Sequence, residues 1–371
     1  MELKKRKRKA EKASESQIDN QVDTTKPTAT FKPSGGRAYT LSIALPGSII
    51  LNAQTPELQA VLAGQIARAL AVFCVDEVVI FNDGEKPKET EQETSHRNSY
   101  TGYTDPTYFL THILSYLETP PNLRKTFFPM NPDLRHAGAL PSLDMPHHLR
   151  RHEWCKYREG TTIAPSENHK TWSSKSTKIG HSKAKGMTYV ETGLRKAVFV
   201  PSVIPPDTRL TVKFKDDESV LRDGPDEIMA AAVAPSMPRE EDGYYWGYST
   251  RSALSLSAVM TECPFDGGYD LSIGTSERGI SLSDLKSREQ AVPDFQHMII
   301  VFGGVGGLEV AVNADEDLQR LGVKSPEALF DFWLNLCPGQ GSKTIRTEEA
   351  VWVGLMGLRD LVQRKGIKSA V

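Results

Sequence analysis

Three short runs in this chain are apolar at every position: VVIF at 78–81, MIIVF at 298–302 and FWL at 332–334. A strand with one wet face alternates apolar and polar residues. A strand that is apolar throughout must be covered on both faces, which is the signature of a parallel sheet sandwiched between helices. Parallel neighbours cannot be joined by a hairpin, so crossovers are required. The first crossover is legible. YTLSIALPGSI (39–49) reads as a strand, and Thr55-Pro56-Glu57 supplies an N-cap, a first-turn proline and an early acid. Leu58, Val61, Leu62, Ile66, Leu70 and Phe73 then recur near a 3.6-residue period, and DEVVIF (76–81) returns as a strand. A helix from Asp105 to Leu117 follows a polar stretch. The fold class expected is α/β.

From about 150 to 240 that character disappears. MTYVETG, KAVFVPS and TRLTVKFKD alternate, with glycine and proline between them, and predict a small antiparallel barrel or sandwich. At about 245 the α/β pattern resumes, in GYYWGYSTRSALSLSAVM, then the strands DLSIG, HMIIVFG and DFWLNL. The barrel is therefore expected as an insertion: residues 38–140 and 245–371 form one α/β domain, 141–244 the barrel, and 1–37 a disordered tail.

Charge narrows the partners. The formal net charge is −2, yet MELKKRKRKAEK at the start is densely basic, and residues 150–196 hold eleven Lys or Arg against four Asp or Glu. A barrel with a basic surface is a common single-stranded nucleic-acid module. The basic run reads as a nuclear or nucleolar address or a nonspecific RNA contact. No apolar run reaches about 18 residues, so no membrane span is expected. Cys74, Cys155, Cys263 and Cys337 are scattered with no CxxC pair, which fits a reducing compartment, and a soluble intracellular protein is expected. His147, His148 and His152 lack acidic or cysteine partners at ligand spacing, so no metal is expected.

The chemistry concentrates in three segments that follow strands: Gly274-Thr-Ser-Glu-Arg-Gly279, Gly303-Gly-Val-Gly-Gly-Leu-Glu309 and Cys337-Pro-Gly-Gln-Gly-Ser-Lys-Thr-Ile-Arg346. Loops at the carboxyl ends of parallel strands are where open α/β sheets bind ligands. Neither common nucleotide motif fits. The second loop has Gly304 and Gly306 but Glu309 where a dinucleotide fingerprint needs its third glycine. The third has Ser342 between Gly341 and Lys343, which breaks a P-loop. What remains is a pocket of glycine-bearing backbone able to approach a planar base and a ribose closely.

GGYDLSIGTSERG, VFGGVGGLE and LCPGQGSKTIRTEEA, together with YTLSIALPGSI, LAGQIARALAVFCVDEVVIF and GYYWGY, resemble the SPOUT-class (α/β-knot) RNA methyltransferases. The nearest resemblance is to the eukaryotic SPOUT-domain family also described as centromere protein 32, and it covers most of residues 39–360. It implies a SPOUT trefoil-knot parallel sheet flanked by helices, with the inserted barrel resembling an OB fold. It further implies S-adenosylmethionine bound by the knot loops, S-adenosylhomocysteine as product, a homodimer, and an RNA substrate, ribosomal RNA in class, with uridine N3 as a target atom. The centromere name leaves room for a mitotic role, and a noncatalytic RNA-binding scaffold is the second reading.

On that basis the cofactor residues expected are Thr275, Gly304, Gly306, Gly307, Leu336, Pro338, Gly339, Gln340, Gly341 and Ile345, with Leu336 and Ile345 against the adenine. Methyl transfer from a sulfonium depends on in-line positioning. If a ring nitrogen loses its proton, a cation should hold the charge that develops on a neighbouring oxygen. Arg278 and Arg346 are the candidates, and either can instead hold a phosphate; Glu277 and Glu309 are candidate proton acceptors. Thr347 is expected to cap the last helix, with Glu348 and Glu349 complementing its dipole. Lys183, Lys185, Arg195 and Lys196 are expected to contact RNA, with Trp154, Tyr157 and Trp172 either stacking bases or packing the barrel core, and the linker histidines facing the RNA.

Overall fold

The computed structural model describes residues 33, 35–85, 100–164, 186–215 and 227–369. β1 (Thr40–Pro46), α1 (Pro56–Val72) and β2 (Glu77–Phe81) make the expected crossover, followed by α2 (Pro106–Glu118) and α3 (Pro121–Phe127). The caps are those the sequence supplies: Thr55 accepts from Leu58 N, and Asp105 from Tyr108 N. The chain then runs through β3 (Tyr157–Ile163), β4 (Thr188–Glu191), β5 (Ala197–Val200), β6 (Arg209–Phe214), β7 (Glu227–Val233) and the short helix α4 (Met237–Asp242). It returns with β8 (Ser249–Ala253), α5 (Leu256–Thr261), β9 (Leu271–Ser281), α6 (Leu282–Ser287), β10 (His297–Val301), α7 (Gly307–Ala314), α8 (Glu316–Arg320), β11 (Phe332–Asn335) and α9 (Thr347–Lys365).

Six strands form one sheet in the order β11-β9-β10-β1-β2-β8, and every pairing in it is parallel. The apolar runs are explained by two cores. Leu41, Ile43, Leu45, Val78, Ile80, Met298 and Ile300 point to the face covered by α1, α2 and α9. Ala44, Val79, Phe81, Ile299 and Val301 point to the other, under α5 and α7. Successive side chains go to opposite faces and both faces are dry, so the runs are apolar and a polar residue in these strands, such as Glu77, is buried and needs a partner. β8 is a strand the sequence did not announce. Its STRSA is polar because it lies at the sheet edge, where Arg251 pairs with the buried Glu77 at 3.1 Å.

β3-β4-β5-β7-β6 close into a barrel around Val190, Val198, Val212, Phe214 and Ile228. The purely antiparallel barrel expected is corrected at one pair: β5 and β7 run parallel. A five-stranded barrel with its third and fifth strands side by side in this way is OB-like in order. Leu143 and Met145, ahead of β3, sit in the sheet's core rather than the barrel's.

Barrel and sheet meet through a buried ionic junction. Arg209 on β6 donates two bonds to the Glu118 carboxylate at the end of α2 (2.7 and 3.0 Å) and one to Glu159 on β3 (2.8 Å). Trp246 Nε1 donates to Glu159 at 2.7 Å. His147 Nε2 lies 2.9 Å from a Glu118 carboxylate oxygen, and His148 Nε2 lies 2.6 Å from the Glu118 carbonyl. The expectation that these histidines face RNA is thus corrected for His147, which is buried, and for His148, which is half-buried and turned inward; His152 is exposed. Of the two roles open to Trp154 and Tyr157, base stacking and packing, both take packing. Trp154 packs on Phe214 at the barrel core, and Tyr157 is fully buried with its hydroxyl donating to Asp242 at 2.6 Å. Trp172, Lys183 and Lys185 lie outside the described residues.

Candidate functional site

The three glycine-bearing segments come together at the carboxyl edge of the sheet, although the first is not a loop after a strand. β9 runs through it. Its pairing with β11 jumps from Gly274–Trp333 to Ile280–Leu334, so Thr275–Gly279 is extruded from the ladder. Two glycines permit this. A Cβ on Gly274 would lie 2.4 Å from the Phe330 ring, and one on Gly279 would lie 2.5 Å from the Leu334 backbone. The extruded residues are pinned on both sides. Thr275 Oγ1 donates to Val301 O at the end of β10 (3.1 Å), and Asn335 Nδ2 at the end of β11 donates to Glu277 O (2.8 Å). Arg278 Nη1 reaches Glu309 in the first turn of α7 at 3.2 Å, while remaining largely exposed.

The second loop is a tight turn. Gly307 N donates to Gly304 O at 3.1 Å, and Gly307 has φ of +72°, a conformation that disfavours any side chain. The third loop leaves β11 with Leu336 against α9, beside Gly354. It then exposes Pro338, Gly339 and Gly341, with Gln340 and Ile345 half-buried. A Cβ on Gly339 or Gly341 would meet nothing within 4 Å, so open space faces this backbone. The loop ends at α9, whose cap differs from expectation. Arg346, not Thr347, is the N-cap residue, and its backbone N donates to Glu349 at 3.0 Å. Thr347 is the first helical residue, buried, and its hydroxyl donates to Gly303 O at 2.9 Å. The helix start is thereby tied to the second loop. Arg346 Nε donates to the buried Glu348 at 2.5 Å.

Sequence reasoning missed Asp83, in the loop after β2. It is buried, and its carboxylate accepts from Ser48 Oγ, after β1, at 2.5 Å. Both atoms would lie 3.6 Å from a Cβ on Gly304, so the pair backs the second loop. Burial raises the Asp83 pKa above the usual carboxylate range, against the opposing bond from Ser48. The available signal was its position, Asn82-Asp83-Gly84 at the carboxyl end of a parallel strand. That criterion selected the other loops, but here it was masked by the long polar stretch that follows.

Of the residues expected to touch RNA, Arg195 is exposed and Lys196 half-buried in the β4–β5 turn, on the barrel and away from these loops in the sequence. Among the described residues no group of three His, Cys, Asp or Glu side chains is placed to hold a metal ion. No described helix is long and apolar enough to cross a membrane.

Comparison with known proteins agrees with this geometry. A family described as "Putative RNA methyltransferase" matches residues 40–358, a span that takes in the sheet, the barrel and all three loops. The chain belongs to this RNA methyltransferase family. It is 44% identical over 337 residues to the 28S rRNA (uridine-N(3))-methyltransferase of Homo sapiens, covering 89% of this chain and 81% of that protein. The enzyme of the same name in Mus musculus is 43% identical, over 90% of this chain and 80% of its own length. That of Drosophila melanogaster is also 43% identical, over 87% of this chain and 62% of its own. Membership of an RNA methyltransferase family implies a methyl donor, S-adenosylmethionine in general.

Proposed function

We propose that this protein methylates N3 of a uridine in ribosomal RNA, drawing the methyl group from S-adenosylmethionine held between the second and third loops. Membership of the RNA methyltransferase family over residues 40–358, with 44% identity over 337 residues to a relative named for that activity, carries the reading, because the family span contains every group the chemistry uses. S-adenosylmethionine, when bound, supplies a sulfonium methyl group and needs no activation. Gly304, Gly306, Gly307, Gly339 and Gly341 offer close backbone approach, and Leu336 and Ile345 offer apolar contact to a base. Removing the N3 proton of uracil places negative charge on its flanking oxygens. Arg278 is the better group to hold that charge. Its ion pair with Glu309 is solvent-exposed and cheap to exchange, whereas Arg346 is bonded to the buried Glu348. Glu309, paired with Arg278, and Glu277, its neighbour in the chain, are the carboxylates available to take the proton.

The test is calorimetric titration of the full chain with S-adenosylmethionine and S-adenosylhomocysteine, beside a Gly341→Trp variant. Gly341 is preferable to Gly339, whose φ of +74° would strain any replacement. Binding by the wild type, loss in the variant, and N3-methyluridine in treated rRNA are expected. A folded wild type that binds neither ligand would favour the noncatalytic RNA-binding scaffold. On the same reading two copies pair through the adjacent helices α1 and α9, which expose Leu58, Val61, Val353 and Met356. Met356→Asp should then halve the mass seen in sedimentation. The basic run of residues 1–12, outside the described residues, would serve as the nuclear or nucleolar address, checked by imaging the tagged chain with and without it.

A further inference from the structure

The residues joining the sheet to the barrel carry a positive surface that no loop of the methyl-transfer site accounts for. Arg150 and Arg151, in the linker before β3, are exposed. The β4–β5 turn folds back onto them: Arg151 Nε donates to Gly193 O at 3.4 Å. The same turn rests on α3, since a Cβ on Gly193 would lie 3.0 Å from Asn122 Nδ2. Exposed Arg195 stands on this turn, and exposed Lys125 lies one helical turn beyond Asn122. Three segments distant in sequence therefore place their cations on one surface, part linker, part barrel, part sheet domain.

A buried cation lies beneath. Arg158 is 3% exposed, and its guanidinium donates to three carbonyl oxygens, of Arg150 (2.5 Å), Glu153 (3.1 Å) and Thr192 (3.5 Å), rather than to a carboxylate. Burial lowers its pKa to about 10, only partly opposed by Cys155 and Glu153, and it stays charged at neutral pH. Its bonds fasten the linker to the barrel turn, and among the described residues no carboxylate accepts a hydrogen bond from it. The carboxylates of the same segments are turned to backbone duty: Glu153 accepts from Arg150 N at 2.8 Å, and Glu191 from Gly193 N at 2.7 Å. A buried guanidinium with no carboxylate bonded to it, its charge only partly offset by Glu153, adds to the positive potential of the exposed arginines above and favours an incoming anion.

We propose that Arg150, Arg151, Arg195 and Lys125, over the buried Arg158, form a seat for the phosphodiester backbone of the RNA substrate. This rests on the RNA methyltransferase reading and extends it, for the seat bridges barrel and sheet rather than lying on the barrel alone. Cations that contact phosphates position RNA without reading its sequence, so binding here is salt-dependent and sequence-tolerant.

The test is fluorescence anisotropy of the full chain with a labelled single-stranded RNA of about 30 nucleotides and with protein-free rRNA fragments, from low to moderate salt. In the Arg150→Gln, Arg151→Gln double variant, two lost phosphate contacts should lower the slope of log affinity against log salt by about 1.4, at roughly 0.7 per contact on a single strand. Arg150→Lys with Arg151→Lys should keep most of the slope. Cofactor affinity by calorimetry should be unchanged in both, which separates lost phosphate contacts from misfolding. Arg320→Gln, on exposed α8, should leave the slope as it was. A wild-type slope retained in the double glutamine variant would overturn the seat while leaving the enzyme reading intact. A wild type whose RNA binding shows no salt dependence would overturn the seat directly. One that binds S-adenosylmethionine but no RNA would overturn both.

Discussion

Replacing Arg209 with methionine keeps its aliphatic stem and removes the charge that joins barrel to sheet. What is left behind decides the cost. Glu118 is 6% exposed, and burial by itself would push its carboxyl upward; the charge of Arg209, with bonds from His147 and Arg209, instead holds it down at about 2, from an ordinary 4.5. A shift of that size corresponds to roughly 3 kcal/mol at about 1.4 kcal/mol per unit. The Arg209 side chain is 31% exposed, so solvent screens part of this, and a loss of about 2–3 kcal/mol at pH 7 is expected. The sign of the pH dependence follows. A carboxylate with a depressed folded-state pKa stabilises the fold above its unfolded value and loses that contribution as pH falls through the folded one. The gap between wild type and Arg209→Met should therefore be widest near neutrality and narrow between about pH 4.5 and pH 2. Urea denaturation followed by tryptophan fluorescence reports on it, because Trp246 bonds to Glu159 in the same junction. A loss below about 1 kcal/mol at pH 7, or one that does not shrink on acidification, would refute the claim that Arg209 compensates a buried charge.

Thr347→Val should cost about 1 kcal/mol by leaving Gly303 O without its donor, and should weaken S-adenosylmethionine binding several-fold, since the bond joins the second loop to α9; unchanged calorimetric affinity would separate the two. Arg278→Ala should leave stability within about 0.5 kcal/mol and cofactor binding nearly intact, because its ion pair is exposed, yet abolish methyl transfer; normal turnover would remove it from the mechanism. For Asp83 the folded-state pKa is raised, so the stability its proton contributes is present at low pH and lost as pH rises through that value. Asp83→Asn should then gain in melting temperature relative to wild type as pH rises from about 4 to 8, and a constant difference would show that the buried carboxyl is not titrating as described.

Much of the framework was legible because it rests on local pattern. VVIF and MIIVF must be dry on both sides, which forces a covered parallel sheet, and Thr55 and Asp105 cap helices through bonds three residues long. Glycines at strand ends marked the second and third loops for the same reason: a turn or close approach is written in the residues that make it. What only the tertiary structure decided depends on residues far apart in the chain. STRSA became a strand because an edge beside β2 was vacant and Glu77 was waiting for Arg251. Thr275–Gly279 left the ladder because β11 pairs on either side of it. Thr347 turned from cap to tether because Gly303, 44 residues earlier, presents its carbonyl there. His147 and Tyr157, polar and aromatic in a basic stretch, went inward to partners on Glu118 and Asp242. Periodicity and capping are properties of neighbours along the backbone and survive in the sequence. The partner of a buried charge or an orphan carbonyl is fixed only when the fold brings distant segments within 3 Å, and at that point function is assigned to particular residues.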